Sequence, residues 1–93
     1  MRRPLPDVEL YSRHLRRTLL LHRSASGRVH AMVFVGRRRT GGTPVANAVA
    51  LAAEDTALHL PADGVEGWLQ LGAAMFDLAP DEPDAIARWL SGR

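Results

Sequence analysis

Along the first third of the chain the spacing of hydrophobic and polar positions changes once. In DVELYSRHLR (7–16), Val8, Tyr11 and Leu15 fall on one helical face and Asp7 stands where an N-cap would. That spacing predicts a short helix. From residue 17 the pattern turns β-rich. RTLLLHR (17–23) and RVHAMVFVG (28–36) flank the small-residue stretch SASG, which predicts a β-hairpin over 17–36. With Arg23 set opposite Arg28, Leu21 faces His30, Leu19 faces Met32 and Arg17 faces Phe34. One face then carries Arg17, Arg23, Arg28, His30, Met32 and Phe34. The other carries Thr18, Leu20, His22, Val29, Ala31, Val33 and Val35. The second set is the more uniformly apolar and β-branched, so it is the expected core face.

GRRRTGGTP follows as an exposed loop. The next stretch, VANAVALAAEDTALHLP, is alanine-rich, and a helix from Pro44 to Asp55 is compatible with it. Its alternation (Val45, Asn47, Val49, Leu51) favours a strand over 45–52, a turn at Glu54 and Asp55, and a further strand over 56–60. Val65, Trp68, Leu69, Gly72, Met75, Phe76 and Ala79 then recur at i, i+3, i+4, i+7 spacing. This predicts an amphipathic helix over 63–79, capped by Asp63 and ended by Pro80. Gly67 and Gly72 weaken such a helix by about 1 kcal/mol each. DEPDAIARWLSGR offers a short terminal helix with Pro83 in its first turn and Ile86, Trp89 and Leu90 on one face. Together these elements predict an α+β fold, a small antiparallel sheet built on the 17–36 hairpin with an amphipathic C-terminal helix, the 63–79 segment, packed on one face.

Length and composition narrow the picture. Ninety-three residues fit one domain, 1–93. The absence of cysteine leaves no disulfide or thiolate chemistry and suits a cytoplasmic setting. The longest nearly apolar run, PVANAVALAA at 44–53, is too short to span a bilayer. MRRPLPDVEL has basic residues without an apolar stretch behind them, so no signal peptide is expected. Charge is divided unevenly. All twelve basic residues are arginine, and residues 1–43 hold ten of them against Asp7 and Glu9, a net of +8. Residues 44–93 hold Arg88 and Arg93 against eight acids, a net of −6. Such asymmetry points to an anion-binding side or to a head-to-tail protein contact.

Catalytic chemistry finds little footing. GRRRTGGT (36–43) has the spacing G-x-x-x-x-G-x-[ST] of a phosphate loop after an apolar strand, but Gly42 stands where the lysine belongs. His14, His22, His30 and His59 lack the close spacing of a metal-binding helix, and in the register above His22 and His30 lie on opposite faces. Asp81, Glu82 and Asp84 read as helix-start charges. The expectation is a protein that is not an enzyme and has no cofactor or metal.

Binding chemistry fits better. Arg17, Arg23 and Arg28 share a hairpin face with His30 and Phe34, and Arg37, Arg38 and Arg39 extend from its end. Arginine neutralises phosphates and stacks on bases, and an aromatic on a sheet is a platform for a base. These eight residues are the expected contacts, with nucleic acid, single-stranded in preference to double-stranded, as the partner. The order of strands followed by an amphipathic helix entered by ALHLPADGVEGWLQL resembles whirly-type and transcriptional-cofactor single-strand-binding domains over 16–79. That resemblance implies an antiparallel sheet with a C-terminal helix, and a homodimer. YSRHL (11–15), VFVG (33–36), PVANAVALA after the glycines, DGVE (63–66) and LQ (69–70) also resemble, in order, the N-terminal half of ubiquitin-activating-type adenylyltransferases. There the glycine loop and an acid hold ATP, which would fall on the 36–42 loop and Asp63. With arginines in place of the glycine-rich core, this likeness implies a degenerate, non-catalytic remnant. The alternative partner is an acidic protein docked by the same basic half, with Trp68, Trp89, Met75 and Phe76 as aromatic and apolar anchors.

Overall fold

The computed structural model describes residues 7–38, 41–51, 53–59 and 67–91. Seven strands come first: β1 (Val8–Ser12), β2 (Arg17–Arg23), β3 (Val29–Val35), β4 (Ala46–Ala50), β5 (Thr56–His59), β6 (Gly67–Leu71) and β7 (Ala74–Leu78). A 3-10 turn, Ala53–Asp55, lies between β4 and β5, and one α-helix among the described residues, α1 (Glu82–Leu90), follows β7. The strands form two antiparallel meanders, one of four in the order β1-β2-β3-β4 and one of three in the order β5-β6-β7. The fold is α+β, with the expected hairpin inside the first sheet and a C-terminal helix packed against β1, β5 and β6.

The helix is not where the periodicity over 63–79 placed it. Residues 67–78 form the β6–β7 hairpin, and Asp63 lies outside the described residues. Leu71 pairs with Ala74 across Gly72 and Ala73, and Gly72 at φ 57° supplies the left-handed first position of a two-residue hairpin turn. Leu69, Leu71, Phe76 and Leu78 are buried while Trp68, Met75 and Asp77 are exposed. A helical pattern emerges by accident, because the inward phase shifts from odd to even positions across the turn. Two glycines unfavourable to helix tip the balance. The amphipathic helix is the terminal one. Glu82, Pro83, Ile86 and Trp89 are buried on it, as expected for the DEPDAIARWL segment.

Residues 8–12 are likewise a strand and not a helix. Val8 and Leu10 are half-buried and Ser12 is buried, while Glu9 and Tyr11 are exposed, an alternation that suits an edge paired to β2. The strands expected over 45–52 and 56–60 are found as β4 (Ala46–Ala50) and β5 (Thr56–His59), with residues 52 and 60 outside the described residues.

The β2–β3 register differs by one residue from the expected one. Arg23 pairs with Val29, Leu21 with Ala31, Leu19 with Val33 and Arg17 with Val35. The cause is the turn. Gly27 N–H donates to Ser24 O at 2.9 Å, Ser24 N–H donates to Arg28 O at 2.9 Å, and Gly27 sits at φ 87°. This is a three-residue loop with its glycine in the left-handed position, and it draws Arg28 into the turn closure. The slip reverses β2. Leu19 and Leu21, together with Val29 and Ala31, are fully buried and join Leu69, Leu71, Leu78 and Ile86 in one core between the two sheets and the helix.

Candidate nucleic-acid interface

The register decides which arginines are free. Arg17 and Arg23 lie on the inner face of β2, beside Leu19 and Leu21. The Arg17 side chain is 11% exposed and all its terminal donors are engaged. It forms a two-pronged ion pair with Glu82, one prong being Nη1 to Oε2 at 2.7 Å. It also donates to Leu10 O at 3.3 Å and to Asp77 O at 2.8 Å. The remaining acceptance of Glu82 goes to Ala79 N–H at 2.7 Å. One guanidinium thus ties β1, β2, β7 and the start of α1 together. Arg23 caps the other end of α1, donating to Leu90 O at 3.1 Å with its guanidinium carbon 4.9 Å from the Trp89 ring centre. A cation there offsets the helix dipole. Neither arginine is presented to a phosphate, which corrects their placement on a solvent face.

The remaining expected contacts divide between the two ends of the first sheet. Arg28 is exposed beside the β2–β3 turn, where its N–H donates to Ser24 Oγ at 3.2 Å. His30 is half-buried on the outer face directly opposite His22, with ring centres 5.7 Å apart. The two histidines therefore share a face, contrary to the register read from the sequence. Among the described residues no group of three or more His, Asp or Glu side chains is placed to hold a metal ion. A seven-residue strand is about 20 Å long, so this end is remote from Arg37 and Arg38. Phe34 is only 6% exposed, because the loop folds back over it. Arg39 lies outside the described residues.

At the loop end the structure builds an arginine cluster. Gly36 N–H donates to Arg16 O at 2.9 Å, which joins the β3–β4 loop to the β1–β2 turn. Thr18 Oγ1 donates to Gly36 O at 2.7 Å and accepts from Arg38 N–H at 3.1 Å, so 36–38 is pinned against the outer face. Arg37 lies over Tyr11 with its guanidinium carbon 4.2 Å from the ring centre. Arg38 lies over Phe34 at 5.5 Å and reaches Glu9 Oε1 at 3.3 Å. Arg13, Arg16, Arg37 and Arg38 are all exposed, and Tyr11 is 39% exposed. Beside them a groove of about 370 Å³ runs along Phe34, Val35, Gly36, Arg37, Gly42, Thr43 and Val45.

Arg13, Arg16 and Tyr11 were not among the expected contacts. Their signal was the run SRHLRR read as a turn between strands, which the helical reading of 7–16 concealed. Arg16 adopts φ 53°, left-handed for a non-glycine residue. The turn is supported by Ser12 Oγ, which accepts from Leu15 N–H at 3.0 Å. On the second sheet, Trp89 and Phe76 are consumed by the core, whereas Trp68 and Met75 are 36% and 60% exposed. His59 stacks on Trp68 at 3.8 Å. No known protein family matches the chain, and no curated protein or solved structure does.

Proposed function

We propose that the protein is a non-catalytic nucleic-acid-binding protein and that its contact surface is the arginine end of the first sheet. The observation that carries this reading is the Gly36–Arg16 backbone bond. It joins two arginine-bearing segments, whose Arg13, Arg16, Arg37 and Arg38 are exposed, next to a half-exposed tyrosine that Arg37 covers. Arg13, Arg16, Arg37 and Arg38 contact phosphates, and Tyr11, already stacked against a guanidinium, receives a base. A lone stacking ring beside a flexible-backbone ligand favours single strands over duplex, whose bases are already stacked. The surface ion pair of Arg38 with Glu9 is worth at most about 1 kcal/mol, so a phosphate displaces it at little cost. The proposal places the protein in the cytoplasm and takes it as a homodimer.

Fluorescence anisotropy of labelled single- and double-stranded oligonucleotides at 50 and 300 mM salt tests it. Binding tighter to single strands, weakened by salt and reduced in Arg37→Ala/Arg38→Ala, is the expected result. No binding at low salt sinks the reading.

An acidic protein partner is favoured by a different observation. A groove of about 250 Å³ lined by Leu15, Arg17, Val33, Ala46, Met75, Phe76 and Asp77 runs from the β1–β2 turn to exposed Met75. An exposed apolar anchor at the mouth of a groove suits a protein ligand. Under that reading Met75→Ala weakens partner capture while oligonucleotides fail to bind.

A further inference from the structure

Among the described residues four strands stand at sheet edges, and three are protected. β1 carries Glu9, ion-paired to Arg38 across the strand. β7 has its Asp77 carbonyl occupied by Arg17. β5 is only four residues long. β4, outermost in the first sheet, carries no charged side chain. From Val45 to Leu51 it reads VANAVAL, without a charge or a proline. Val45, Val49 and Leu51 are 64%, 46% and 71% exposed. Natural sheets blunt an exposed edge with charge, proline, a bulge or brevity, because its unpaired backbone groups template another strand.

We infer that the occupant of this edge is β4 of a second copy, paired antiparallel about a two-fold axis through Ala48. In a continuous sheet, cross-strand partners point to the same face. A two-fold axis therefore passes through a residue, and Ala48 is the centre of the uncharged run. The resulting pairs are Asn47 with Val49 and Ala46 with Ala50, each made twice; Val45, whose N–H donates to Val33 O at 2.7 Å, is turned toward β3 and stands outside them. Val49 gains a neighbour on the outer face, and the small alanines meet on the inner one. A two-fold axis also sets any charged residue of one copy close to its counterpart in the other, and this strand has none. Pro44 before it and the 3-10 turn after it limit the pairing to about this length. The product is an eight-stranded sheet in the order β1-β2-β3-β4-β4-β3-β2-β1. Its two arginine ends occupy diagonal corners of the same outer face.

The chain contains no cysteine, so one introduced thiol reports the register. Opposed Cα atoms in antiparallel pairs lie about 4.5–5.5 Å apart, within disulfide reach. Under mild oxidation Ala48→Cys is expected to give a covalent dimer, while Ala57→Cys, exposed on β5, stays monomeric. Light scattering on the wild-type chain is expected to give the mass of two chains. In Val49→Lys/Leu51→Lys, with unchanged circular dichroism, the dimer dissociation constant should rise at least about tenfold. A wild-type monomer at high micromolar concentration overturns the inference and leaves the edge to an extended segment of another protein. So does a dimer that fails to cross-link through Ala48→Cys or that survives the two lysines. Oligonucleotide binding is read separately, because none of these substitutions touches the arginine end.

Discussion

The inner face of β2 and the loop end of the same sheet are both rich in arginine, and they use it in opposite ways. Arg17 and Arg23 are drawn inside and bound to Glu82, to backbone carbonyls and to the terminal helix, with the buried Arg23 Nε left without a hydrogen-bond partner among the described residues. Arg13, Arg16, Arg37 and Arg38 stand outside, on two segments joined by the Gly36–Arg16 backbone bond. The first pair behaves as structural fastening and the second group as a surface open to anions. A count of charges along the chain merges these two populations. Only the register of the hairpin separates them.

Arg17→Ala should break the comparison most forcefully. It strands the buried Glu82 carboxylate and should cost about 3–5 kcal/mol in urea unfolding. Arg17→Met/Glu82→Leu should recover most of that loss, because replacing a buried pair by apolar side chains is often neutral. A single variant as stable as wild type would show that the pair is not sealed from water. Arg23→Ala should come next, at about 1–2 kcal/mol from the lost helix cap and the Trp89 contact. Fluorescence-detected thermal unfolding measures it, and a loss of oligonucleotide affinity in the still-folded variant would return Arg23 to the binding surface.

Arg16→Gly should sharpen the contrast by moving two properties in opposite directions. Relief of the left-handed backbone should raise stability by about 1 kcal/mol, while oligonucleotide affinity falls. Arg37→Ala/Arg38→Ala should change stability least, by under about 0.5 kcal/mol. Its effect belongs to binding, where the slope of log affinity against log salt should shrink by about 1.4 for two lost phosphate contacts on a single strand. An unchanged slope would remove these arginines from the interface.

How far the sequence reveals this arrangement depends on the kind of signal. Gly27 marks a turn in SASGR, and the helix pattern of DEPDAIARWL is unambiguous, so the hairpin and the terminal helix are both legible. The loop length is not. Whether Arg28 belongs to the strand or to the turn closure depends on the left-handed backbone at Gly27, and that one residue inverts the face of β2. At 67–78 the difficulty is phase, since inward positions switch parity at Gly72 and mimic a helical stripe. For β1, three residues at helical spacing weigh no more than the Val8, Leu10, Ser12 alternation, and the partner strand decides. The site inherited these errors. Arg37 and Arg38 are legible because a run of arginines between glycines sits in a loop under any register. Arg16 and Tyr11 are reached only when 8–12 is read as a strand.

The bond between Arg17 and Glu82 spans 65 residues, and that separation has a consequence during synthesis. At about 5–20 residues per second, a ribosome adds Glu82 about 3–13 s after Arg17. Through most of that interval the first meander can pair, but Leu19, Leu21, Val29 and Ala31 have no complete second sheet to cover them. The nascent sheet then resembles the sticky, half-made species from which aggregates grow. Arg17, still without Glu82 at the end of that apolar surface, acts as a flanking gatekeeper against such association. It becomes a fastener only when the end of the domain arrives.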